Sequence, residues 1–92
     1  MSESPKYRPC ILIPTFDNPL TIRAVALEAR EHLPHVLVVD DGSGPENRRA
    51  VDALEQEQLA KTRRRERNGG KGAAVQTGLR FARELGFTHA VG

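Results

Sequence analysis

The residues with chemical potential fall in three short stretches. Asp40-Asp41-Gly42-Ser43 sets two carboxylates side by side ahead of a turn. Adjacent ionised carboxylates repel and need partners. One can accept hydrogen bonds from the Gly42 and Ser43 backbone while the other points at a ligand donor such as a base N–H. The pair is equally read as a solvated Asp-Gly turn that caps the following helix. Asn68-Gly69-Gly70-Lys71-Gly72 combines glycines, which let a backbone approach a ligand closely, with a cation suited to phosphate. No Ser or Thr follows Lys71, so it is not a Walker loop, and Val75 stands where a dinucleotide fingerprint needs glycine. A plain glycine-rich turn accounts for it as well. Pro14-Thr15-Phe16-Asp17-Asn18 is the third stretch.

Other reactive types carry less. Arg63, Arg64, Arg65 and Arg67 form a basic run with no interleaved aromatic, so base stacking has no platform and a solvated face is expected rather than nucleic-acid binding. His32 and His35 flank Pro34, where a shared helical face is lost, which does not suit a zinc pair. Ser43 has no nucleophile elbow. Cys10, the single cysteine, opens an apolar run and reads as core; no internal disulfide can form.

Elements that would position these stretches follow from the apolar pattern. Cys10 to Ile13 and Val36 to Val39 are short apolar runs that suit buried parallel strands. Thr62 to Arg67 fits an edge strand guarded by charge, and Phe87 to Val91 a fourth strand. Between them lie three helices. The first has Asn18 as N-cap and Pro19 at its first position, with Ile22, Val25, Ala26, Ala29 and Leu33 inward, and Pro34 stops it. Pro45 opens the second, which turns Val51, Leu54 and Leu59 inward. The third follows Gly72, with Val75, Leu79, Ala82 and Leu85 on one face and Gly86 at its end. Strict alternation of strand and helix predicts an α/β fold: a Rossmann-like three-layer sandwich with a parallel sheet and helices on both faces. In such sheets ligands bind beyond the carboxyl ends of the strands, where all three stretches fall.

Composition fits one small domain. The chain has 92 residues, 38% apolar and 28% charged, so a folded protein with a thin aliphatic core is expected. A net charge of +2 does not by itself imply a nucleic-acid partner. The polar start has no signal-peptide core, and no apolar run approaches the ~20 residues of a membrane span. A cytoplasmic location is expected.

Taken in order, the stretches resemble the motifs of family 2 glycosyltransferases. Ile13-Pro14-Thr15-Phe16-Asp17-Asn18 is similar to that family's opening Ile-Pro-Thr-Tyr-Asn-Glu. Val38-Val39-Asp40-Asp41-Gly42-Ser43 matches its second motif. Asn68-Gly69-Gly70-Lys71-Gly72-Ala73-Ala74, with Gly78, resembles its third, and Gly86 to Val91 the lead-in to its fourth. The third motif and the lead-in look most like the branch containing polyprenyl-phosphate sugar transferases. The resemblance implies residues 10–92 form the nucleotide-binding half of a GT-A domain behind a loose tail, 1–9. A UDP- or GDP-linked sugar would be the donor, and a polyprenyl phosphate or another glycan or lipid the acceptor. By the same analogy Pro14, Thr15 and Phe16 would line the base pocket, Asp41 would bind the base with Asp40 supporting the loop, and Gly70 and Lys71 would approach the nucleotide. Asn18 stands where Glu is usual and is a further candidate contact. The family's Mg²⁺ or Mn²⁺ is held by an Asp-x-Asp motif expected just past Gly92, so these 92 residues alone are expected to be inactive. Membrane attachment would come only through other parts or a lipid acceptor, and the uncovered sheet edge invites association. The alternative is a non-catalytic nucleotide- or partner-binding α/β module.

Overall fold

A computed structural model describes residues 7–42 and 44–92 of the chain. The elements alternate: β1 (Pro9–Thr15), α1 (Ile22–His32), β2 (Val36–Asp41), α2 (Pro45–Gln56), β3 (Lys61–Arg65), α3 (Gly70–Glu84) and β4 (His89–Val91). All three strand pairings are parallel, in the order β3-β2-β1-β4. The expected α/β, Rossmann-like fold is therefore present.

Side-chain alternation divides the core in two. Val36 and Val38 of β2 pack with Ile22, Ala26 and Ala29 of α1 and with Val51 and Leu54 of α2. Leu37 and Val39, with Cys10 and Leu12 of β1, pack against Ala74, Phe81 and Ala82 of α3. Helices α1 and α2 thus cover one face and α3 the other. Connection geometry explains the division. The chain steps outward from β1 to β2 to β3, then returns through α3 past two strands to β4. With a constant crossover hand, reversing direction moves the helix to the opposite face. The reversal leaves a switch point between β1 and β4.

Several elements differ from the sequence expectation. Strand β1 runs through Pro14 to Thr15 instead of ending at Ile13. The Ile11 N–H donates to His35 O on the β2 side, so by alternation Pro14 turns toward β4. The β1–β4 register ends at Ile11↔Val91, so the missing proline N–H costs no ladder bond. Helix α1 begins at Ile22 with Thr21 as N-cap, and Asn18 is not the cap. The Asn18 carbonyl instead accepts the Thr21 and Ile22 N–H groups, closing a separate turn before the helix. Val25, expected inward, is substantially exposed.

The acidic pair lies inside β2, not in a turn after it, and every residue of that strand is buried. In α3 the inward face is Ala74, Gly78, Phe81 and Ala82, while Leu79 is 48% exposed. The face is rotated from the Val75-Leu79 line because Gly78 lets the helix settle directly onto the Leu12 side chain. Strand β3 is the expected charged edge, and β4 begins only at His89, with Phe87 packed against the α3-side core. Gly86, at φ 86°, supplies the left-handed residue after α3.

Candidate functional site

Asp40 and Asp41 do not act as a pair. Two-residue periodicity sends them to opposite faces of the sheet, both buried, at 1% and 4% exposure. On the α2 face, Asp40 Oδ1 accepts a hydrogen bond from Asn47 Nδ2 at 3.3 Å. Asn47 Oδ1 in turn accepts the Asn18 N–H at 3.0 Å, and Asp17 Oδ1 accepts the Gly44 N–H at 2.9 Å. These contacts tie the segment after β1 to the start of α2. Asp17 itself takes a left-handed φ of 49°, which redirects the chain from the strand into that turn. Thr15 is buried on the same face as Asp40, and its hydroxyl has no hydrogen-bond partner among the described residues.

On the α3 face, Asp41 gathers three donors. Its Oδ1 takes Arg65 Nη1 and the Gly69 N–H (3.2 Å), and Oδ2 takes the Gly70 N–H (3.0 Å). Burial pushes this carboxyl upward. The Gly69 amide, the hydrogen bond and charge of Arg65, and the Gly70 amide outweigh that, so Asp41 is held below the ordinary carboxylate range. It is ionised at neutral pH. A carboxylate offers about four acceptor directions, so three donors leave room for one more. Arg65, Gly69 and Gly70 are what hold Asp41; the contact anticipated between one of the pair and the Ser43 backbone lies outside the described residues.

Beyond Asp41 opens a cleft of ≈ 650 Å³ at the β1–β4 switch point. Pro14, Phe16, Asp41, Asn68, Gly70 and Lys71 form its rim toward the strand ends, and Leu12, Val75 and Leu79 are among its apolar wall. Alternation along β1 explains the membership: Leu12, Pro14 and Phe16 face α3, whereas Thr15 faces α2. The structure therefore brings Pro14, Phe16, Asp41, Gly70 and Lys71 together. Asn18 and Asp40 lie on the α2 side in the Asn47 network, and Thr15 is buried beside Asp40 on that face. Gly70 takes φ 85° as it opens α3, and Gly42, at φ 77°, is so close to the Arg67–Asn68 backbone that a Cβ would lie 2.7 Å from Asn68 N. The segments after β2 and β3 touch through that glycine. A smaller cleft of ≈ 330 Å³ lies at the opposite, amino end of the sheet, between Arg30, His35, Glu55 and Lys61.

Two polar residues of the site were not singled out by sequence reasoning. Asn47 is 1% exposed, but one asparagine in a charged helix carries no periodic signal. Arg65 belongs to the basic run whose composition suits a solvated face, and the structure divides that run. Arg63 lies over the Phe81 ring at 4.4 Å and bonds Glu84, and Arg65 reaches Asp41, while Arg64 and Arg67 are exposed. Strand alternation was the available clue, since it places residues 63 and 65 on one face. Cys10 is fully buried, with its thiol pushed up by burial, and belongs to the core.

The residues described here do not fit a divalent metal. No three of His, Cys, Asp or Glu converge among them, and the carboxylate that lines the cleft, Asp41, already faces the positive Arg65 guanidinium. Among the described residues no helix is long and apolar enough to cross a membrane. The family model described as Glycosyl transferase family 2 matches residues 10–85, from the start of β1 to the end of α3. No curated protein matches the chain.

Proposed function

The chain belongs to glycosyl transferase family 2, and from that premise we propose that its switch-point cleft binds the nucleotide part of a nucleotide sugar during glycosyl transfer. The observation that carries this reading is the convergence of Phe16, Asp41, Gly70 and Lys71, from three separate segments, on one cleft. Each brings a fitting group. The Phe16 ring, partly exposed, offers a stacking surface to a base. Asp41 retains an acceptor direction for a base N–H. The start of α3, with Lys71 in its first turn, suits a diphosphate. Asp40, Thr15 and Asn18 support the segment behind Phe16 rather than touch the ligand.

The donor is a UDP- or GDP-linked sugar. The third-motif resemblance supports a polyprenyl phosphate as acceptor, with another glycan or lipid as the alternative. Mg²⁺ or Mn²⁺ would neutralise the charge of a leaving diphosphate. These residues supply no ligand set for it; the cation they bring to the cleft is Lys71.

Calorimetric titration of the chain with UDP and GDP tests the reading. One of them is expected to bind, and Phe16→Ala to weaken it by roughly 1–3 kcal/mol, the usual worth of a base–aromatic stack. Absence of binding by both nucleotides, or a Phe16→Ala variant that binds like the parent, sinks the assignment.

A further inference from the structure

Arg65 has no role in the reading above, yet it is the arginine of the basic run that reaches the cleft wall. Register places it beside Asp41 on the neighbouring strand, on the α3 face. Its guanidinium bonds Asp41 Oδ1 and lies 3.4 Å from Arg67 O. It also fills the space under Gly69, where an added Cβ would sit 2.6 Å from Arg65 Nη1 and 3.0 Å from Nη2. One planar group thus contacts β2, the segment after β3 and the approach to α3.

Charge gives this packing a consequence. Asp41 borders the same cleft as Lys71 and the amino end of α3. Left alone, its carboxylate would cancel the positive potential that those two present to an anion. Paired with Arg65, it can gather the Gly69 and Gly70 amides without making the cleft repel phosphate.

We propose that Arg65 is a positioning residue of the donor cleft, acting through Asp41: it neutralises and orients the carboxylate that holds the opening of α3 toward an anionic ligand. This rests on the nucleotide reading of the cleft. It differs from a general structural role in what it predicts. Loss of Arg65 should penalise a nucleoside diphosphate more than the matching nucleoside, and the penalty should depend on the Asp41 charge.

The experiment is a double-mutant cycle in the whole chain, with Arg65→Met, Arg65→Lys, Asp41→Asn and the Arg65→Met/Asp41→Asn double variant. Calorimetry measures UDP, GDP, uridine and guanosine, and circular dichroism checks that each variant folds. Arg65→Met is expected to weaken the preferred diphosphate about ten-fold more than its nucleoside, a size typical of coupled neighbours. With Asp41→Asn already present, the same change should cost under about two-fold, within the scatter of uncoupled sites. Arg65→Lys, which keeps the charge but not the fork, should keep most of the preference for diphosphate. If Arg65→Met does not fold alone, the double variant against Asp41→Asn, together with Arg65→Lys, carries the comparison. Equal losses for nucleoside and diphosphate, an undiminished loss in the Asp41→Asn background, or a lysine variant without diphosphate preference overturns the proposal. A parent chain that binds none of the four ligands overturns the nucleotide reading itself and this proposal with it. A parent that binds, with variants that match it, overturns the role of Arg65 alone.

Discussion

A single peptide step separates Asp40 from Asp41, and the pleat of β2 gives them different chemistry. Asp40 is a buried acceptor for Asn47, and Asp41 an ionised anchor for Arg65 and two loop amides. The anchor should show in acid. A carboxyl whose pKa is lowered on folding binds fewer protons native than unfolded, so its contribution is full above the unfolded value, about 3.9 for Asp. That contribution is lost as pH falls through the lower folded value. Asp41→Asn should therefore flatten the decline of stability below about pH 4, followed by denaturant melts across that range. At neutral pH it should cost about 1.5–3 kcal/mol, the scale of a hydrogen bond to a charged group. An unchanged acid limb would mean that Asp41 is not ionised and anchored in the native state. The importance of this residue was legible in the sequence as an acidic pair at a strand end. Its partners were not, because Arg65 is 24 residues away and becomes a neighbour only through strand register.

Elements were legible where one face had to be apolar, and less so where close approach decides the geometry. The apolar part of β2, α2 with Pro45 at its start, and the charged edge β3 fall where periodicity and charge put them. Helix α3 is rotated from its apparent apolar stripe because Gly78 lies against Leu12 and exposes Leu79. Apolar counting sees Leu79 and overlooks a glycine whose value is its missing side chain. Two alanine substitutions in the same helix separate these effects. Gly78→Ala forces a methyl into the Leu12 side chain, and overpacking of this kind costs roughly 1–3 kcal/mol despite better helix propensity. Gly72→Ala has nothing within 4 Å of the new Cβ, and replacing an open helical glycine should stabilise by about 0.4–1 kcal/mol. Thermal unfolding of both variants checks this. If the two shift in the same direction, the close contact between α3 and β1 is not the reason for the helix's rotation.

At the scale of the whole chain, one reversal of direction organises the rest. Strands β1, β2 and β3 step one way with α1 and α2 on one face; α3 returns over the other face and sets β4 beside β1. A parallel sheet with helices on both faces was the sequence expectation, whereas the strand order that contains the reversal was not legible. Which residues of the segment after β1 face the cleft was not legible either, because alternation along β1 sends Phe16 forward and Thr15 back. The two ends of the sheet differ accordingly. Its carboxyl end carries the ≈ 650 Å³ cleft with Lys71, and its amino end the ≈ 330 Å³ cleft with Lys61. Both lysines are exposed, so removing either takes the same charge from the protein and changes long-range attraction for an anion to a similar degree. Only proximity to the ligand distinguishes them. Ligand at one hundred times its Kd stabilises the native state by about 2.7 kcal/mol, a rise of roughly 10–20 °C for a domain this size. UDP or GDP should produce such a shift in the parent and in Lys61→Ser, and a clearly smaller one at the same concentration in Lys71→Ser. A reversed order would place the nucleotide at the amino end of the sheet, and an equal reduction in both would mean that bulk charge alone attracts it.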